Sequence, residues 1–150
     1  QQHNNMADLS IKITEDIELQ GHQYGGTKEL TITGINEVSR RVVTATTTDT
    51  TIISFGTAYG AGTFIEGDVR YIRITNLDAS NYVLLNIEGD TSTDFTVRLD
   101  PGASYMIISS SSTGVVDYAD ISGSTLEDLT AIKADANSSS CDLEILVATV

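Results

Sequence analysis

Apolar and polar residues alternate through four short runs between residues 70 and 108. Arg70, Ile72 and Ile74 alternate with Tyr71, Arg73 and Thr75, and Val83, Leu85 and Ile87 alternate with Leu84, Asn86 and Glu88. Phe95, Val97 and Leu99 alternate with Thr96 and Arg98, and the pattern resumes from Tyr105 to Ile108. The runs stop at residues 76–81, at Gly89-Asp90 and at Asp100-Pro101-Gly102. A period of two places alternate side chains on opposite faces of a strand, and Asn, Asp, Gly and Pro supply the backbone angles of turns. The segment is read as a β-meander or part of a sandwich.

The rest of the chain follows the same style. Leu9, Ile11 and Ile13 alternate with Ser10, Lys12 and Thr14 and predict a first strand reaching towards Leu19, after which residues 21–26 break the pattern as a Gly-rich loop. Leu30 and Ile32 mark a second strand and residues 38–46 a third. Six threonines within residues 44–51 favour extended backbone, because branching at Cβ restricts χ1. Ile52, Ile53 and Phe55 make a short apolar strand, and residues 56–62 a tightly turning glycine loop.

Further on, residues 109–114 read as an exposed loop tip and residues 115–121 as a weak strand. Residues 124–134 are ambiguous. Ser124 with Glu127 fits a helix capping box, whereas residues 129–134 and 142–149 fit a hairpin across residues 137–140. The hairpin is preferred, because its surroundings are β and the last strand needs a partner. Nine or ten strands at intervals near 8–12 residues, without alternating helices, predict an all-β antiparallel sandwich or barrel. Residues 1–20 are expected to form an N-terminal strand and potential arm, and residues 21–150 a single β-sandwich domain.

Composition narrows the function. The chain has 150 residues, enough for one self-sufficient core, and a net charge of −13. Residues 1–75 hold nine acids against six bases, while residues 76–150 hold twelve against two. Such a surface repels polyanions, so no nucleic-acid partner is expected. No stretch approaches the ~18 apolar residues of a membrane span, and no membrane partner is expected. No signal-peptide pattern is visible. Met6 reads as a natural start, with residues 1–5 as a remnant, a processed segment or native sequence.

Candidate chemistry is thin. The single cysteine, Cys141, excludes an intramolecular disulfide and reads as a buried small hydrophobe. His3 and His22 lie in a tail and a loop without nearby carboxylate partners, so no catalytic triad is expected. Paired carboxylates occur at Glu15-Asp16, Asp90 with Asp94, and Asp117 with Asp120, but no tryptophan is present to line a glycosidase cleft. Asn76, Asp78 and Asn81, like Asp90 and Asp94, lack the fixed spacing of an EF-hand and read as turn formers. The glycines of residues 56–62 have neither the following lysine nor the helix of a P-loop. No catalytic residue, metal ligand or cofactor is therefore expected. Arg40-Arg41 stands out, since adjacent strand residues point to opposite faces and one of the two should pair with an acid or occupy an interface.

A resemblance can be placed on particular residues. Tyr71-Ile72-Arg73-Ile74-Thr75-Asn76-Leu77, Val83-Leu84-Leu85-Asn86-Ile87-Glu88-Gly89 and Phe95-Thr96-Val97-Arg98-Leu99-Asp100-Pro101-Gly102-Ala103-Ser104-Tyr105 resemble a pattern common in small virion structural proteins of tailed bacteriophages. Ser140-Cys141-Asp142-Leu143-Glu144-Ile145 is similar to their last strand. The likeness covers about half the chain and is one of strand and turn style. It implies a jelly-roll-like sandwich assembling in many copies in a virion.

The expected function is thus non-enzymatic: a capsid decoration or cement protein, or else a neck or tail component. Its partners would be a major capsid or other virion protein and further copies of itself as a homo-oligomer. The interface is expected to draw on Leu9, Ile11, Ile13, Arg40, Arg41, Tyr59 and Phe64. The alternative is a carbohydrate- or receptor-binding β-sandwich using Tyr24, Tyr59 and the end loops.

Overall fold

The structure, a computed structural model, describes residues 6–90, 94–112, 114 and 128–150. Thirteen strands are present among the described residues, β1 (Ala7–Glu15) through β13 (Cys141–Thr149), with one 3-10 turn at Glu66–Asp68. The weak strand read at 115–121, the pair Asp117 and Asp120, and the capping box of Ser124 and Glu127 lie outside the described residues. The chain divides into two units, residues 1–36 and residues 37–150, rather than at residue 20.

The first unit is a two-stranded ribbon. β1 pairs antiparallel with β4 (Gly26–Ile35), and β2 (Glu18–Leu19) pairs with β3 (His22–Gln23) at the tip. The predicted loop at residues 21–26 is corrected: the chain reverses in two residues, Gln20 and Gly21, whose φ angles of 53° and 78° meet the type I′ requirement of positive φ at both central positions. Thr33 and Gly34 together face Asp8 where the register shifts, and Gly34, at φ 80°, forms the bulge.

Among the described residues, the second unit is a jelly-roll sandwich of nine strands. One sheet runs β11-β8-β13-β5 and the other β10-β9-β12-β6-β7. Here β5 is Glu37–Ala45, β6 Thr50–Gly56, β7 Thr63–Ile65, β8 Val69–Asn76, β9 Val83–Gly89, β10 Asp94–Leu99, β11 Ser104–Ile108 and β12 Leu129–Ala136. With β7 set aside, the two sheets hold four strands each, and chain order alternates between them except at β9–β10, as two interlocked Greek keys require. β7 adds a parallel strand beside β6.

Two pairing expectations are corrected by this topology. Of the two readings of residues 71–108, part of a sandwich holds and a meander does not, because β8 and β9 belong to opposite sheets and only β9 and β10 form a hairpin. β12 and β13 are not a hairpin either. β12 pairs with β6 and β9, whereas β13 pairs with β5 and β8. The physical reason is that both strands bury a full row, Leu129, Ile132, Ala134 and Ala136 on one and Cys141, Leu143, Ile145 and Val147 on the other. In opposite sheets these rows face each other across the core, which contains Ile53, Ile72, Ile74, Leu85 and Ile87 as well.

Local turn chemistry holds the strands at their ends. Ala103 N–H donates to Asp100 carbonyl at 3.0 Å, with Pro101 second and Gly102 third at φ 74°, the arrangement of a type II turn. β6 carries a bulge at Ile52, which has no partner residue on β12 while Ile53 faces Ile132 and Thr51 faces Lys133. That bulge lets Ile52 and Ile53 both be buried.

Candidate functional site

Opposed residues of an antiparallel pair share a face, so the ribbon pairings define two different sides. Leu9 faces Ile32, Ile11 faces Leu30, and Ile13 faces Lys28 on one side. Ser10 faces Thr31, Lys12 faces Glu29, and Thr14 faces Thr27 on the other. The second side is tied by polar contacts: Ser10 Oγ donates to Glu29 at 3.1 Å, Lys12 lies 3.7 Å from the same carboxylate, and the Thr14 and Thr27 hydroxyls are 3.2 Å apart. The first side is mainly apolar, with Lys28 beside Ile13. Leu9 is half-buried, Ile11 and Ile32 are buried, and Ile13 and Leu30 are exposed.

At the ribbon tip, Gln23 replaces missing ladder bonds with its side chain. Its Oε1 accepts from Ile17 N–H at 3.1 Å and Gly25 N–H at 2.8 Å, while its Nε2 donates to Asp16 at 2.8 Å. A side chain at Gly25 would collide with the Glu15 carbonyl, so only glycine fits there. His22 lies edge-on to Tyr24, with ring centroids 6.5 Å apart. Tyr24 and Leu19 remain 66 % and 60 % exposed, and Ile17 is exposed beside them. Sequence reading missed Ile17, Leu19 and Leu30 as surface apolar groups, although the alternation in residues 9–19 and 30–32 was the signal for them.

The two arginines diverge as strand geometry demands. Arg40 points outward on β5, where its Nη2 donates to Glu144 at 2.8 Å, and Arg73 Nη2 donates to the other Glu144 oxygen at 2.7 Å. These hydrogen bonds, Arg40 first and Arg73 second, hold the Glu144 carboxyl below its usual range. Arg41 turns inward. Its Nη2 donates to the carbonyl of the bulged Ile52, and burial lowers its pKa. It packs under Gly62 in the glycine loop, whose carbonyl accepts from Ser54 N–H at 2.8 Å. An inward charge on an edge strand such as β5 opposes indiscriminate edge pairing.

The remaining expected interface residues scatter. Tyr59 is half-exposed in the glycine loop, and its hydroxyl donates to Asp68 at 2.8 Å. Burial is the main reason that its pKa is raised. Phe64 is 6 % exposed and belongs to the core, so its ring is already covered by its own sandwich. The ribbon brings Leu9, Ile11 and Ile13 onto one side, and Arg40 stands on the outer face of β5.

That outer face includes Val38 and Val42, 58 % and 59 % exposed, with Arg40 between them and Met106 exposed on β11. The opposite sheet presents a different surface. There Lys133 Nζ lies 2.7 Å from Glu88 and 3.9 Å from Asp49, and Asn86 Nδ2 donates to Asp94 at 2.8 Å and Thr96 at 3.1 Å. A shallow cavity of about 300 Å³ lies among these groups. Among the described residues, no three His, Cys, Asp or Glu side chains are placed to hold a metal ion.

The Asx cluster does structural work. Asp78 accepts from Asn81 N–H at 2.6 Å and Ser80 N–H at 2.7 Å, which lowers its pKa. Asn76 is fully buried, accepts from Asp78 N–H at 3.0 Å, and donates to the carbonyls of Asn81 at 2.9 Å and Leu99 at 3.2 Å. Cys141 is buried beside this turn, and burial pushes its thiol pKa up. No family model, no curated protein and no solved structure matches this chain.

Proposed function

We propose that this chain is a non-enzymatic structural protein of a tailed-phage particle, assembling in many copies as a capsid decoration or cement subunit, with a neck or tail position as the second placement. The observation that carries this reading is the amphipathic ribbon. A two-stranded ribbon is marginal in water by itself, and apolar groups exposed together mark a surface meant for a partner. Ile13, Ile17, Leu19, Tyr24 and Leu30 are exposed on this ribbon. The jelly-roll frame supports the reading because capsid domains are among its known uses, although lectin domains use it too.

The test is quantitative analysis of purified particles. The chain is expected at a fixed, high stoichiometry beside a major shell or tube protein. Its absence from particles, together with saturable binding to glycans through Tyr24 or Tyr59, would replace this reading with the carbohydrate- or receptor-binding one.

A further inference from the structure

We propose that β5 pairs antiparallel with β5 of a second copy of this chain across a two-fold axis at Ser39, so that Glu37 of each copy faces Arg41 of the other. The inference deepens the multi-copy reading above by naming a surface and a register, and it rests on that reading only for the presence of further copies.

The backbone of β5 is open on one side. β5 pairs with β13, and no described strand lies along its other edge. Leu77 N–H donates to Asp142 carbonyl at 2.9 Å, so the even-numbered residues of β13 point their backbone groups at β8 and the odd-numbered ones point theirs at β5. The partners of those odd-numbered residues are Glu37, Ser39, Arg41, Val43 and Ala45. The N–H and C=O groups of Val38, Arg40, Val42 and Thr44 therefore face away from the sheet, a template for another strand. With nine residues, β5 is the longest edge strand of the two sandwich sheets among the described residues, and it contains no proline to block pairing.

Charge selects both the occupant and the register. Arg40 is paired with Glu144, whereas Arg41 has no acid among the described residues and its buried Nε has no partner. Glu37 is exposed on the same face of β5 and enters none of the ion pairs among the described residues. Within one strand their Cα atoms are about 13 Å apart. Hydrogen bonding through the open edge must match even-numbered residues with even-numbered ones, which places the two-fold axis on a residue. An axis at Arg40 or Arg41 sets that arginine against itself, and an axis at Val38, Val42 or Val43 leaves Arg41 opposite Ile35, Val43 or Ala45. Of the axes within residues 38–43, only Ser39 gives Arg41 a carboxylate. It does so twice, in non-hydrogen-bonded pairs whose Cα atoms lie about 4.5 Å apart. The same register joins the backbone groups of Val38 to those of Arg40 in the other copy. The strand is thus complementary to itself in charge as well as in backbone.

The test uses full-length protein in sedimentation and in oxidation by glutathione disulfide. Ser39→Cys, on the axis, is expected to give a disulfide-linked dimer, and Val38→Cys, which lies opposite Arg40 and out of reach of its own copy, is not. Cys141 is buried and serves as the internal control. Glu37→Arg and Arg41→Glu are each expected to weaken association at least tenfold through like-charge contacts, and mixing the two variants is expected to restore it, because both cross-copy pairs are then opposite in sign. Should Arg41→Glu misfold, Ser39→Cys and Glu37→Arg decide between them. A wild type that is monomeric at every concentration, or a dimer that neither links through Ser39→Cys nor weakens in Glu37→Arg, overturns the proposal. A chain fixed on particles yet monomeric and unlinked in solution would overturn only this pairing, and a chain absent from particles yet linked through Ser39→Cys would overturn only the virion reading.

Discussion

Arg41 and Gly62 occupy adjoining space so closely that a Cβ on Gly62 would sit 2.8 Å from Arg41 Nη2. Gly62 also holds φ at 74°, a conformation that side chains tolerate poorly. The contact connects the inward arginine of β5 to the bulge of β6, since the same nitrogen donates to Ile52 carbonyl.

Gly62→Ala is therefore expected to cost about 1–3 kcal/mol, combining backbone strain with displacement of Arg41. Gly102 has the same φ but open space around its Cβ position, so Gly102→Ala reports the strain alone. Thermal unfolding of both variants should show the larger loss for Gly62→Ala, of roughly 3–10 °C. Equal losses would remove Arg41 from this account.

Glu144 gives a dependence on pH. Its folded pKa is depressed by Arg40 and Arg73, so its contribution is present above the unfolded value of about 4.3 and disappears as pH falls through the folded value. Glu144→Gln should be less stable than wild type by a constant margin between about pH 5 and 8, with the margin closing below about pH 4. Urea midpoints across that range check the sign. A gap that widens on acidification would contradict the ion-pair assignment.

Asn76 is a buried polar group with three partners, so truncation strands a donor and two acceptors away from water. Asn76→Ala is expected to cost about 2–4 kcal/mol. Denaturant unfolding should show a lower midpoint with the slope unchanged.

Burial separates two aliphatic residues of neighbouring strands. Ile145 is 1 % exposed in the core, and Ile145→Ala should lose about 2–5 kcal/mol through lost burial and the cavity left. Val42, on the outer face, should tolerate alanine within about 0.5 kcal/mol when the chain is measured as a monomer. Calorimetry on dilute protein distinguishes them.

Much of this architecture was legible along the chain. The alternation in residues 70–108 marked β8 to β11, Asp100-Pro101-Gly102 marked its turn, and Arg40-Arg41 announced two opposed environments. These are local properties: a period of two assigns faces, and turn geometry depends on a few adjacent residues. The Gln20-Gly21 reversal escaped notice because one of its two positive-φ residues is glutamine, for which sequence carries little signal.

Partner choice was decided only in three dimensions. The alternation of β12 and β13 fits a hairpin as well as it fits two opposed sheets, and nothing in residues 137–140 separates the two. What separates them is the rest of the core, which gains two facing apolar rows when the strands part. The same holds for Phe64, which was expected at an interface and is enclosed by side chains distant in sequence. Sequence alone established an acidic, all-β chain with adjacent arginines, because composition and periodicity are properties of the strand itself. Tertiary structure decided the jelly-roll order, the ribbon's apolar side and the separate fates of Arg40 and Arg41, because each depends on which distant strand lies alongside.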